Sequence, residues 1–246
     1  MKKMISIIVG CIVLISVGLV YFGTSTKDTS PNENANVLEN VENNGDQNTN
    51  DINEDVNSLV VYFSVPETDS PDNMTRDEDN SVHVVDGEVL GNTQYIANLI
   101  GEKTNSEVYR LEPVDTYPTN HDDLLERAAD EMDNDERPEI KDPMDISSYD
   151  VIFIGYPIWN ADLPPIINTF LENNNFDGKT IIPFCTHGGS GIAGTPSTIQ
   201  NKLPDAKVIA NGFEISRNDM DSSESKVNEW LSSIGYWNCL LNNIGS

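Results

Sequence analysis

Three segments of the chain are candidates for ligand binding, because each follows an apolar run and is rich in glycine, hydroxyl or aromatic side chains. The first ends in Gly91, Asn92 and Thr93, where a helix is predicted to begin. Glycine lets the backbone approach a ligand closely, and N–H groups at a helix start, joined by Ser and Thr hydroxyls, can hold a phosphate without Lys or Arg. The same residues are typical of a simple helix cap. The segment therefore predicts either a phosphate cradle or a cap.

The second segment, residues 155–165, carries Trp159 in a loop bounded by prolines. A large aromatic side chain beyond a buried strand is suited to lie against a planar ring. The alternative is that Trp159 packs on its own loop.

The third segment, residues 186–191, contains Gly188, Gly189 and Gly191. So many glycines predict tight turns or backbone N–H groups presented to a ligand, and the alternative is a solvated hinge. His187 lies in the same segment. Its ring could hydrogen-bond a ligand when neutral, steady an anion when charged, or simply face solvent.

The elements that must position these segments alternate along the chain. Apolar, β-branched runs predict strands at residues 59–63, 108–111, 151–154, 180–184 and 207–210. Helical patterns occur at residues 92–102, 122–132, 164–173, 195–202 and 223–234. This alternation predicts an α/β domain with a five-stranded parallel sheet covered on both faces. Open sheets of this kind bind ligands beyond the carboxyl ends of their strands, which is where the three segments fall.

The N-terminus carries an apolar run at residues 4–23, preceded by Lys2 and Lys3. Its length matches the roughly 20 residues that cross a bilayer as a helix, and the lysines favour a cytoplasmic N-terminus. We therefore expect residues 1–23 to anchor the chain in a bacterial cell membrane, with the rest outside the cytoplasm. Two alternatives stay open: lipidation at Cys11, whose surroundings loosely resemble a lipobox, and cleavage as a signal peptide.

Residues 24–57 contain ten Asn and eight acidic residues, with one Lys and no aromatic residue. Such a segment cannot bury enough apolar area to offset the entropy of ordering. We expect a flexible stalk here, a folded domain at residues 58–236 and a C-terminal tail at residues 237–246.

The formal net charge of −27 excludes nucleic acid as a partner, because binding a phosphate backbone requires clustered Lys and Arg. A protein partner is expected to be basic at the contact. The three cysteines are scattered without metal-ligand spacing, and His83 and His121 lie in polar surroundings. We expect no metal site and assign no catalytic residue.

Several motifs occur together in an order that resembles one known family. They lie at residues 60–64, 91–93, 137–140, 149–159, 168–171, 176–180 and 188–191. This set closely resembles the flavodoxins, in particular a bacterial flavodoxin-like branch, over almost all of residues 59–236. The resemblance implies the strand order 2-1-3-4-5, with flavin mononucleotide (FMN) at the switch point of the sheet.

The resemblance also implies which residues bind FMN. The phosphate would be held by Ser64, Asn92 and Thr93, with Gly91 beside them. The residues that would flank or line the isoalloxazine ring are Pro157, Ile158, Trp159, Asn160, Thr186, His187, Gly188, Gly189 and Gly191.

The sequence departs from the flavodoxin pattern in the first loop, where 26 residues separate Ser64 from Gly91. This insert, residues 65–90, holds eight acidic residues and one basic residue, Arg76. It is either a lid or partner-docking flap over the cofactor, or a tolerated surface excursion. The departure puts the phosphate ligands in doubt, and Ser64 most of all.

Three functions are compatible with these features. The first is an FMN electron carrier, in which the protein sets the potential of the flavin. The second is an FMN-dependent reductase of a small substrate such as a quinone, although the sequence has no second nucleotide-binding motif. The third is a non-redox binding module that has kept the fold and lost the flavin.

Overall fold

Six strands pair in one parallel sheet in the computed structural model, which describes residues 56–236. The predicted anchor, nearly all of the predicted stalk and the predicted tail lie outside the described residues. Within residues 56–236, no helix combines the length and the apolar character needed to cross a bilayer.

The elements follow the alternation that the sequence predicts. The strands are β1 (Ser58–Tyr62), β2 (Val82–Val85), β3 (Glu88–Gly91), β4 (Glu107–Arg110), β5 (Val151–Pro157), β6 (Thr180–His187), β7 (Lys207–Val208) and β8 (Phe213–Ser216). The helices are α1 (Arg76–Ser81), α2 (Asn92–Thr104), α3 (His121–Asp133), α4 (Pro165–Asn173), α5 (Thr195–Lys202) and α6 (Ser223–Ser233), with a 3-10 helix at Arg217–Ser222.

The main sheet has the order β4-β1-β5-β6-β7, and β8 also pairs with β6. When only the strands of this sheet are numbered along the chain, β1 is the first, β4 the second and β5, β6 and β7 the third to fifth. The order is therefore the predicted 2-1-3-4-5. The switch point lies between β1 and β5, whose pairing runs from Ser58 beside Val151 to Tyr62 beside Gly155. The flavodoxin-like α/β fold that the sequence predicts is confirmed.

The central strands of the sheet are almost entirely apolar, because both faces of the sheet are buried. Alternate residues of β1 point to opposite faces. Leu59 and Val61 lie in the core beneath α4, whereas Val60 and Tyr62 lie in the core beneath α2 and α6. The layered packing leaves the carboxyl ends of the strands open at one edge.

The fifth position of the sheet differs from the prediction of one strand at residues 207–210. β7 pairs with Thr180 and Ile181 at the start of β6, and β8 pairs with the end of β6 from Phe184 onward. Ile209 N–H donates to Ile181 O at 2.8 Å, so Pro183, two residues on, faces the same edge. Proline has no N–H to donate, which explains why the pairing is interrupted beside it.

The insert is folded rather than structureless. The hydroxyl of Thr75 accepts from Glu78 N–H at 3.3 Å and the Glu78 carboxylate accepts from Thr75 N–H at 2.7 Å, which is a capping box that begins α1. β2 and β3 form a hairpin whose turn, Asp86 and Gly87, has φ values of 52° and 85°, as a two-residue turn requires. The His83 ring lies 4.5 Å from the Tyr95 ring of α2, so the hairpin is fixed against that helix.

Candidate functional site

The two ends of the first loop, Ser64 and Gly91, lie next to each other although 26 residues separate them in the sequence. The hairpin brings Gly91 back beside Ser64, so that a Cβ atom added at Gly91 would lie 2.2 Å from Ser64 Oγ. Ser64 is buried, with 4% of its surface exposed, and its hydroxyl has no hydrogen-bond partner among residues 56–236. The structure therefore places Ser64 next to the start of α2, as an uninterrupted phosphate loop would.

The side chains of Asn92 and Thr93, which are candidates for a helix cap in the sequence, do not cap the start of α2. Gly91 is the N-cap residue, and Asn92 and Thr93 turn their side chains elsewhere. Asn92 Nδ2 donates to Asn80 O of the insert at 2.8 Å, and the hydroxyl of Thr93 lies 2.8 Å from that of Thr186. Gly91 N–H donates to Gln94 Oε1 at 3.3 Å, whereas the N–H groups of Asn92, Thr93 and Gln94 have no acceptor within the helix and remain available to an anion.

The second loop holds Trp159 in a defined orientation. Trp159 and Asp162 exchange two backbone hydrogen bonds, of 3.1 and 2.8 Å, across a turn in which Asn160 and Ala161 have φ values of 46° and 61°. The Trp159 ring meets the rings of Phe63 and Tyr117 edge to face, each at 5.3 Å between centroids. Trp159 is therefore packed by neighbouring loops, and not only by its own.

Tyr117 is itself fixed by charged groups of α3. Its hydroxyl donates to Glu131 Oε2 at 2.6 Å, and the guanidinium of Arg127 lies 4.2 Å from the centre of its ring. Burial, followed by the Glu131 contact, raises the pKa of Tyr117 well above its usual range. Tyr117 therefore remains a neutral donor, and the bonds behind it keep Trp159 in position.

The third loop is tied to both of the others. Ile158 N–H donates to Thr186 O at 2.9 Å, and the hydroxyl of Thr186 meets that of Thr93. The phosphate cradle, the aromatic loop and the glycine loop therefore form one connected edge.

His187 is occupied by contacts within the protein. Its Nδ1 accepts from Gly189 N–H at 2.9 Å, which leaves the proton of a neutral ring on Nε2, where it is donated to the carboxylate of Glu214. Both ring nitrogens are thereby used, so the structure gives no support to a His187 hydrogen bond to a ligand. The side chain is also mostly buried, with 7% exposed, which does not fit a residue that simply faces solvent.

The three loops enclose a cavity of about 230 Å³. Ten of the thirteen predicted site residues lie on its wall: Ser64, Asn92, Thr93, Pro157, Ile158, Trp159, Asn160, Thr186, His187 and Gly188. The other three do not. Gly91 packs behind Ser64, and Gly189 and Gly191 form turns with φ values of 130° and 62°.

The wall also contains residues that the sequence did not suggest. They are Val65, Glu67, Asn80 and Ser81 of the insert, His121, Leu124, Leu125 and Ala128 of α3, and Arg217 of the 3-10 helix. The amphipathic pattern of α3 signals an apolar face with Leu124 and Ala128, but nothing local shows that this face reaches the site. The insert thus contributes part of the cavity wall.

Glu67 and His121 form a hydrogen-bonded pair on this wall. The Glu67 carboxylate oxygens lie 3.1 and 3.0 Å from His121 Nδ1, and the Glu67 side chain is only 8% exposed. Burial raises the pKa of Glu67, and the contact with His121 opposes that rise. His121 Nε2 has no hydrogen-bond partner within residues 56–236, so the pair leaves one ring nitrogen available to the cavity.

The amino-acid sequence matches the model of a known protein family. The model of the flavodoxin family matches residues 83–234, which is more than half of the chain. The chain belongs to the flavodoxin family. This flavodoxin carries its second and third loops within the matched region, whereas Ser64 and most of the insert precede it. A search of curated proteins finds no match.

Solved structures resemble this flavodoxin over most of their length. A candidate flavoprotein from Bacteroides uniformis is 28% identical, with a TM-score of 0.54 over 72% of this chain and 98% of the other. A second, from Bacteroides eggerthii, is 28% identical, with a TM-score of 0.51 over 73% and 98% of the two chains. A flavoprotein from Lactobacillus acidophilus, solved in complex with FMN, is 22% identical, with a TM-score of 0.47 over 71% and 98%.

Proposed function

We propose that this flavodoxin binds FMN in the cavity at the switch point and acts as an electron carrier. The observation that carries the proposal is the arrangement of the three loops: an anion cradle at the start of α2 and an oriented Trp159 line the same cavity. Bound FMN supplies the redox chemistry, and the protein supplies binding, orientation and the electric field.

The residues present fit FMN. Two polar atoms at the cradle have no partner among residues 56–236, namely Ser64 Oγ and the buried Asn92 Oδ1. A phosphate would accept a hydrogen bond from the Ser64 hydroxyl, and a buried polar atom without a partner, such as Asn92 Oδ1, is uncommon in native structures. Ile158, Trp159 and Leu124 offer apolar surface for the ring, which matches the usual composition of cofactor sites.

The experiment is a fluorescence titration of FMN with the purified full-length chain. A ring held against Trp159 is expected to lose its fluorescence and to bind at a ratio of one per chain. Protein that stays colourless and leaves FMN fluorescence unchanged would remove both redox functions and leave the non-redox binding module.

The charge of the domain predicts a low reduction potential. The chain has 41 acidic residues, of which 8 precede Ser58, and 14 Lys or Arg, of which 3 precede Ser58, leaving 22 net negative charges on the remainder. Such a field disfavours the negatively charged reduced ring. A redox titration in which the last reduction step lies no lower than that of free FMN would contradict this expectation.

A second candidate function, reduction of a small quinone, is favoured by the Glu67–His121 pair. Reduction of a quinone to a hydroquinone needs two electrons and two protons, and a His121 ring that carries both of its protons would donate one of them from Nε2 to a substrate in the cavity. Steady NADH oxidation by the FMN-loaded chain with added quinone, reduced strongly by H121Q, would support the reductase. Loaded protein that accepts electrons but shows no turnover would support the carrier.

We also propose that residues 1–23 tether the domain to the outer side of the cell membrane, with the stalk giving it reach, and that its redox partner is basic at the contact. The apolar run after Lys2 and Lys3 and the acidic domain support this proposal. Membrane fractionation and protease treatment of intact cells test it: the domain should sediment with membranes and be cleaved from outside. Protection from protease in intact cells, or recovery in the cytosolic fraction, would contradict the tether.

A further inference from the structure

Arg217 differs from the other four arginines in having no acidic partner among residues 56–236. Each of the other four lies within 4.0 Å of at least one carboxylate oxygen: Arg76, Arg110, Arg127 and Arg137. The side chain of Arg217 makes no ion pair and no hydrogen bond with any residue from 56 to 236. In a domain with so many carboxylates, an arginine without one is available to another anion.

The position of Arg217 is defined by the third loop. Its guanidinium lies against Gly188, so that a Cβ atom added at Gly188 would be 3.3 Å from Cζ and 3.5 Å from Nη1. Both residues lie on the cavity wall, where Arg217 is the one Lys or Arg among the described residues. The absence of a side chain at Gly188 thus makes room for a cation beside the site.

We propose that Arg217 faces the isoalloxazine ring and stabilises its reduced, negatively charged form, which partly offsets the acidic field of the domain. This inference rests on the proposed FMN site. Full reduction by two electrons and one proton leaves one negative charge on the ring system, and a nearby cation favours that state over the neutral oxidised one. Ser64 and the N–H groups of α2 are the proposed phosphate ligands. Gly188, by contrast, belongs to the loop that would line the ring by resemblance to the flavodoxins, so Arg217 is assigned to the ring and not to the phosphate.

The expected effect is moderate, because Arg217 is exposed to solvent, which screens its charge. One unit charge within a few ångströms of another, partly screened by water, changes the ratio of affinities for reduced and oxidised FMN by about tenfold. That ratio corresponds to about 30 mV for a two-electron couple.

The experiment compares the full-length wild type with R217Q, R217K and R76Q by anaerobic dithionite titration against a dye of known potential. R76Q is the matched control, because it removes one positive charge from a side chain that is 86% exposed and absent from the cavity wall. We expect R217Q to lower the potential by the amount given above, R217K to retain most of the wild-type value, and R76Q to change it little. The R217Q effect should shrink in 1 M salt, since the Debye length falls to about 3 Å; a purely structural role of Arg217 would not show this dependence.

Two results would overturn the inference. One is a potential that falls equally in R217Q and R76Q, or in neither. The other is a loss of affinity for oxidised FMN in R217Q with unchanged affinity for riboflavin, which would make Arg217 a phosphate ligand. Failure of the wild type to bind FMN at all would instead reject the proposed function, so the two failures are distinguishable.

Discussion

Replacing Gly91 by alanine tests whether Ser64 belongs to the phosphate cradle. The backbone of Gly91 has φ −61° and ψ 145°, which alanine adopts without strain. The added Cβ would lie 2.2 Å from Ser64 Oγ but 3.3 Å from Ser64 Cβ and 3.5 Å from Pro66 Cδ. The substitution therefore acts chiefly on the position of one hydroxyl group.

The size of the effect follows from the bond that is lost. A hydrogen bond to a charged group such as phosphate contributes about 1.5–3 kcal/mol. We therefore expect G91A to weaken FMN binding by about tenfold to hundredfold. Riboflavin, which lacks the phosphate, should bind wild type and G91A alike.

The assay is fluorescence quenching of FMN and of riboflavin by wild type, G91A, S64A and the double variant. S64A removes the hydroxyl without a clash and should lose the same affinity for FMN. The double variant should bind no more weakly than S64A, because the atom that G91A displaces is already gone. Full FMN affinity in both single variants, or a further loss in the double variant, would refute the assignment of Ser64.

Three further substitutions test other parts of the site. W159A should weaken binding of both FMN and riboflavin by about tenfold and reduce quenching, because the ring loses an oriented aromatic partner; equal binding in a titration would contradict this. Y117F removes the donor to the buried Glu131 carboxylate and should lower the free energy of unfolding in urea by about 1–3 kcal/mol. An unchanged free energy of unfolding would contradict the 2.6 Å hydrogen bond between Tyr117 and Glu131. Burial raises the pKa of Glu67 in the folded state. Just above the ordinary pKa of glutamate, the folded chain therefore binds more protons than the unfolded chain. Over that pH range, the free energy of unfolding falls as the pH rises. E67Q should abolish that contribution in urea unfolding followed across this pH range, and unchanged pH dependence would count against it.

The sequence predicted the elements of the domain well because their signals are local. Apolar runs and helical periods place α2 to α6 and every strand of the main sheet except β8 within a few residues of their observed bounds. The hairpin of the insert also has a local signal: Asp86 and Gly87 stand between the Val-rich run at residues 82–85 and Val89, and Asp-Gly in such a setting is typical of a two-residue hairpin turn. Pro183 likewise indicates a break in the pairing of the neighbouring edge strand.

The remainder of the site depends on tertiary contacts that no local pattern shows. Glu67 and His121 are 54 positions apart and meet because the insert folds against α3. Arg217 reaches the cavity because β8 resumes the edge strand and directs the following 3-10 helix toward Gly188. The effect of the insert on Ser64 was also not predictable, since only the closed hairpin returns Gly91 to its side.

A crystal structure of the FMN-loaded chain would show directly whether FMN occupies the cavity at the switch point. We expect the phosphate to be bound by Ser64 and the N–H groups at the start of α2, with the ring in van der Waals contact with Trp159, at about 3.5–4 Å. The third loop should lie on the opposite side of the ring. FMN bound elsewhere on the domain, or in the cavity with its phosphate away from α2, would contradict the proposed site.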